Sequence, residues 1–368
     1  MVEDRIEDFA NVIVEKAAEV EEGDNVYLMA KSLQALPLFD EVRKQVIRKG
    51  AYPFEHLLYD SVSGERNDYD WMKEASDEQL KHFSEVKMNE MENMDAVIKI
   101  NGTNNHKELA TIDPDRISKW RSTTRDILNK RVEKKWVLAA YPTTGLAQQS
   151  DMPTQEFEDF AIDAVVETDW DELAEKNQEI KEVFDAGDTV RIVDDKTDIE
   201  ISIEGREAVT ADGKRNLPDG EVFYAPVKTE INGHIEFSYP VTAEGNEISG
   251  IKLDFEDGRI VDYSAEKNEK FLEKMINTDE GSHYIGELGI GTNRQIDRYI
   301  KYTLFDEKIG GTIHMAIGKA YEECMPDGEE ANESSIHWDI VKDLRERAGG
   351  GKIFVDDELV QENGEWVY

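Results

Sequence analysis

His337 and Asp339 stand two residues apart in the run Ser335-Ile336-His337-Trp338-Asp339. On a β-strand that spacing turns both side chains to one face and Ile336, Trp338 and Ile340 to the other. An imidazole and a carboxylate opposed by large apolar groups describe a half-buried strand with a polar task on one side. Together the two groups suit zinc, cobalt or manganese. Two earlier stretches have similar chemistry in apolar settings: Tyr284-Ile285-Gly286-Glu287-Leu288-Gly289-Ile290-Gly291, and Phe305-Asp306-Glu307-Lys308 running on through Gly310-Gly311 to His314. Only glycines and apolar residues surround Glu287. A bare carboxylate there is costly, so Glu287 is either paired in space or a ligand. His314, taken alone, reads as a satisfied core histidine more readily than as a ligand. Glu221 follows a Pro218-Asp219-Gly220 turn and opens an apolar run; taken alone, it reads as a solvated strand terminus. Tyr321 is uninformative by itself. His56, His82, His106, His234 and His283 lie in polar or loop-like contexts and read as surface histidines.

Several common chemistries are missing from the sequence. There is no His-Glu-x-x-His zinc motif and no Gly-x-Ser-x-Gly nucleophile turn. No glycine-rich dinucleotide or P-loop fingerprint follows any strand. Cys324 is the one cysteine, so no disulfide framework exists, and it reads as a buried thiol rather than a nucleophile.

The elements that must position these side chains fall into two textures. Residues 3–20 carry apolar positions at helical spacing. Strand-like runs follow at 26–30, 52–58, 96–100 and 136–140, alternating with helical stretches at 34–48, 77–91 and 113–133, where Asp113 precedes Pro114 as an N-cap. Residues 154–186 read as two helices divided near Thr168-Asp169. Alternating strands and helices predict a parallel, Rossmann-like α/β sheet. From Thr189 the pattern changes to short strands at 191–193, 199–203, 221–227 and 235–239, with turns at Asn232-Gly233 and Asp257-Gly258, a hairpin over 251–263 and a helix over 265–277. The expected organisation is an α/β N-terminal domain over 1–187 and a mixed α+β, β-rich catalytic domain over 188–368.

The chain has 368 residues, with 82 acidic and 43 basic side chains and a net charge of −39. That balance repels phosphates and anionic headgroups, so nucleic-acid and membrane-surface partners are excluded. The acids are spread among apolar periodic segments, which describes a solvated acidic shell and not a disordered tail. Dense screening in a high-salt cytoplasm removes the self-repulsion of such a shell. No signal peptide or transmembrane stretch is visible, and a cytoplasmic location is expected.

In combination, Asn216–Pro226, Gly286–Asn293, Phe305–Gly318 and Ile336–Asp339 resemble the thermophilic metalloprotease family of aminopeptidases, which includes aminopeptidases T and S. The segments occur in the family's order across most of the C-terminal half, whereas the N-terminal half matches only in length and βαβ texture. The resemblance implies a two-domain fold, a homodimer, peptide substrates, and two divalent ions (zinc, cobalt or manganese) that activate a water to remove N-terminal residues. Carried onto this chain, it implies metal ligands at Glu221, Glu287, His314, His337 and Asp339, Glu287 acting in catalysis as the bridge, and Tyr321 as the active-site tyrosine. Glu307 is a candidate general base. The alternatives are a non-catalytic metal- or ligand-binding protein on the same scaffold, and a two-metal hydrolase of a non-peptide amide.

Overall fold

A computed structural model describes residues 2–58, 69–105, 107–243, 246–326 and 328–368. His106 lies outside the described residues. The chain divides into two compact units, residues 1–167 with 213–218, and residues 168–212 with 219–368.

The first unit is built on a five-stranded parallel sheet in the spatial order Tyr52–Leu57, Asn25–Ala30, Ala96–Asn101, Lys135–Ala140, Asn216–Leu217. The inner strands read as near-continuous apolar runs because both faces are covered; Ala96 to Ile100 are all buried, Lys99 included. Pro53 sits on the exposed edge strand, where a missing N–H breaks no ladder. Asp113 caps the Pro114–Val132 helix, its carboxylate accepting from the N–H of Asp115.

Two helical expectations change, and two short helices are added. Residues 3–20 form an α-helix over Val2–Asn11 that widens into a π-helical turn over Val12–Ala17. The stretch 77–91 is two helices, Asp77–Leu80 and Glu85–Glu92, because Ser76 and Ser84 each cap a separate start. Tyr69–Glu74 and Thr144–Gln149 are additional short helices. Among the described residues no helix is long and apolar enough to cross a membrane.

The second unit contains two large antiparallel sheets and a two-stranded ribbon, Val241–Ala243 with Asn246–Ile248. One has eight strands in the order Arg259–Ser264, Lys252–Glu256, Ile231–Glu236, Thr197–Ser202, Thr189–Asp194, Lys352–Val355, Glu358–Glu362, Glu365–Trp366. The other has five, in the order His337–Asp343, Thr312–Gly318, Ile285–Gly291, Glu221–Tyr224, Val209–Ala211. Ile192, Ile199 and Ile201 of the first sheet and Val222, Leu288, Ile313 and Ile340 of the second belong to one core. The helix Trp170–Asp185 contributes Ile180 and Phe184 to that core. The units therefore divide before this helix and not at the expected 187/188 boundary. The expected turn at Asn232-Gly233 lies inside a strand, where Asn232 pairs with Glu200, and Gly233 with Ile199 and Phe255. The strand starts at Ile231 and not at Ile235, and the hairpin turn is Asp257-Gly258, whose Asp257 N–H donates to the Asn232 side chain.

Candidate metal centre

Four neighbouring strands of the five-stranded sheet build the site, and period-2 alternation decides which side chains reach it. On Thr312–Gly318, Ile313, Met315 and Ile317 enter the core, and His314 points to the opposite face. On His337–Asp343, Trp338 and Ile340 enter the core, and His337 and Asp339 share the other face. On Glu221–Tyr224, Val222 and Tyr224 enter the core, and Glu221 takes the other face.

The strand Ile285–Gly291 breaks this alternation. Ile285 and Leu288 both enter the core, although they are three apart. A bulge between Ile285 and Glu287 supplies the extra residue, Gly286, and turns Glu287 to the site face. A side chain at Gly286 would meet the carbonyl oxygens of Lys319 and Gly318 at 2.3 and 2.5 Å, so only glycine fits the bulge.

The geometry centres on Glu287. Its Oε1 lies 2.9 Å from His314 Nε2, and its Oε2 lies 3.5 Å from His337 Nε2. His314 Nε2 is also 3.4 Å from Glu221 Oε2, and His337 Nε2 is 3.4 Å from Asp339 Oδ1. Ligand-type atoms of Glu221, Glu287 and His314 lie within 4.8 Å of one another, as do those of Glu287, His337 and Asp339. Glu287 belongs to both groups. His337 Nδ1 is 2.7 Å from the Lys319 carbonyl, a donated hydrogen bond that leaves Nε2 turned toward the carboxylates. The reading of Glu221 as a solvated terminus is corrected: it is 6% exposed. Its strand is anchored by Asn177, whose amide donates to the carbonyls of Ala211 and Glu221.

The site demands positive charge. Burial disfavours a charged His314, but the hydrogen bond to Glu287 and the charges of Glu221, Glu287 and Asp339 outweigh it and lift its pKa to about 9. Against the same burial penalty, Asp339 and then Glu287 lift His337 to about 10. Burial raises Glu307 above the ordinary carboxylate range, reinforced by Glu221 and Asp339 and opposed by Lys308. Glu221 Oε2, His314 Nδ1 and Asp339 Oδ1 are buried without a hydrogen-bond partner. Orphaned buried acceptors beside imidazole nitrogens are what a divalent cation relieves, and an all-O/N donor set suits borderline ions. The residues fit a metal.

Tyr321 is 41% exposed, and its ring centroid is 4.7 Å from that of His337. Burial, then the carboxylates of Glu287 and Asp339, hold its hydroxyl well above its usual pKa, so it remains a donor. Cys324 is buried and its thiol is pushed up to about 12, chiefly by burial, so it is not a nucleophile. His56 is half-buried, stacked on Tyr27 and 2.8 Å from Glu90, and is not a free surface histidine.

No sequence motif singles out Lys308 as part of the site. It is 1% exposed, and its Nζ lies 2.7 Å from Glu221 Oε1 and 2.5 Å from Glu307 Oε1. Its signal was a lone cation between acids and glycines in an otherwise apolar segment.

The sequence profile of the thermophilic metalloprotease (M29) family matches residues 2–366. The chain belongs to this family. Aminopeptidase 2 of Geobacillus stearothermophilus is 28% identical, with 92% of each chain covered. Aminopeptidase AmpS of Bacillus subtilis is 36% identical over 42% of this chain and 40% of its own length. Among solved structures, AmpT of Thermus thermophilus covers 100% of both chains with a TM-score of 0.82 at 22% identity. A 2,5-dihydroxypyridine dioxygenase of Pseudomonas putida has a TM-score of 0.61 at 14% identity over 99% of this chain and 96% of its own. The last two likenesses concern the fold, which by itself does not select a reaction. Membership of the metalloprotease family implies a divalent metal and peptide substrates.

Proposed function

We propose that this M29 protein is an aminopeptidase with a two-metal centre bridged by Glu287. The observation that carries the reading is the presentation of Glu287 Oε1 to His314 and Oε2 to His337, within two ligand groups that share only this residue. Glu221 and His314 complete one group, and His337 and Asp339 complete the other. Held by these residues, two divalent ions of the zinc, cobalt or manganese type would supply Lewis acidity to a water and to the scissile carbonyl. Tyr321, protonated and beside His337, donates to the oxyanion that develops on that carbonyl. Glu307 is the candidate acceptor of the water's proton. Carboxylates on this face also attract the free α-amine of a peptide, which confines cleavage to the N-terminus. The catalytic role is assigned to the second unit, residues 168–212 with 219–368, which carries all five ligand residues. The protein works as a cytoplasmic homodimer, and the charge of −39 reflects a high-salt interior.

The test is metal analysis of the purified protein alongside hydrolysis of matched peptides with free and acetylated N-termini. Two divalent ions per chain are expected, with activity lost on chelation, restored by zinc, cobalt or manganese, and confined to the free peptide. Full activity in a metal-free sample, or equal cleavage of the blocked peptide, overturns the reading.

A further inference from the structure

We propose that Lys308 is a positioning residue of the metal centre, clamping Glu221 so that it offers a single oxygen to a cation beside His314. The inference rests on the two-metal reading above. The Lys308 ammonium takes Glu221 Oε1 at 2.7 Å. The other oxygen, Oε2, is left buried, 3.4 Å from His314 Nε2 and without a hydrogen-bond partner. A carboxylate held in this way cannot chelate through both oxygens. One-oxygen ligation suits small ions of low coordination number, whereas larger cations such as calcium recruit bidentate carboxylates.

The clamp is built into the backbone. The Lys308 carbonyl accepts from the N–H of Asn293 at 3.0 Å, and the Asn293 amide donates to the Asp219 carbonyl at 2.8 Å. The N–H of Thr292 donates to the Gly220 carbonyl at 2.9 Å. The loop that carries the ammonium is therefore tied to the two residues that lead into Glu221, and cation and carboxylate are held in register. A lysine buried to this degree is costly unless paired. Here both partners face the site, and Glu307 is the second, at 2.5 Å. The same ammonium thus sets Glu307 and Glu221 side by side.

The experiment titrates metal-free protein with cobalt(II), following its visible absorption, for wild type and Lys308→Met. Wild type should fill two sites. In Lys308→Met, the site containing Glu221 should weaken by about 10–100-fold, the scale for loss of an outer-shell partner. The site containing His337 and Asp339 should be unchanged. Unaltered or tighter binding of both ions in the variant overturns the inference. Failure of wild type to take up cobalt overturns the two-metal reading instead. Should the methionine variant not fold, Lys308→Gln, which is shorter and carries an amide without the charge, is read by the same criteria.

Discussion

Gly289 and His314 face each other across adjacent strands, and the imidazole occupies the space that a side chain at 289 would need. A Cβ on Gly289 would lie 2.1 Å from both Cε1 and Nε2 of the ring. Gly289→Ala must therefore displace His314. The cost in stability should be about 1–3 kcal/mol, typical of overpacking. Metal content should fall at the Glu221 group. Equilibrium unfolding and elemental analysis check this; an alanine variant with wild-type metal content would show that the ring's position is not critical.

Glu287→Gln keeps the shape of the shared residue and removes its charge. The fold should survive, because glutamine still hydrogen-bonds in the same place. At least one ion should be lost, and kcat should fall by at least ~10³-fold, the scale of removing a dominant electrostatic group. Two metals per chain with near-normal kcat would make this glutamate structural.

Asp279 ties two segments that lead into the site strands. Its carboxylate accepts from the Ser282 N–H, the Ser334 hydroxyl, and the N–H and hydroxyl of Ser335. Burial opposes the charge, but the hydrogen bonds led by those of Ser335 prevail and hold the pKa at about 2. The folded pKa lies below the unfolded value of about 3.9, so the stabilisation is present above about pH 4 and lost as pH falls toward 2. Asp279→Asn should cost about 1–2 kcal/mol at pH 7, after allowance for partial exposure, and progressively less below pH 4. Urea melts of both proteins across that range measure it. A difference independent of pH would assign the effect to packing.

The excess of 82 acidic over 43 basic residues predicts that salt stabilises the fold. Melting temperature should rise between dilute buffer and ~2 M KCl, where the Debye length falls well below about 10 Å. Identical melts at both salt concentrations would remove the argument for a high-salt interior.

Alternation alone determined much of the second unit. His337 and Asp339 share a face opposite Trp338 and Ile340 because successive side chains on any strand point to opposite sides. The parallel sheet was legible for a similar local reason: mostly apolar runs such as Val26 to Ala30 and Ala96 to Ile100 are buried on both faces and are separated by helical periodicity. The motif segments brought Glu221, Glu287 and His314 into consideration, but local pattern could not say what they touch. The orientation of Glu287 depends on a bulge at Gly286, which exists only where Ile285–Gly291 pairs with Thr312–Gly318. The burial of Glu221 depends on Lys308, 87 residues away. The small strand Asn216–Leu217 joins the first unit by pairing with Lys135–Ala140, though its neighbours in sequence belong to the second. Such contacts are made by groups far apart in the chain. Their register and charge pairing are set by which backbones hydrogen-bond to which, and residue spacing carries no record of that choice.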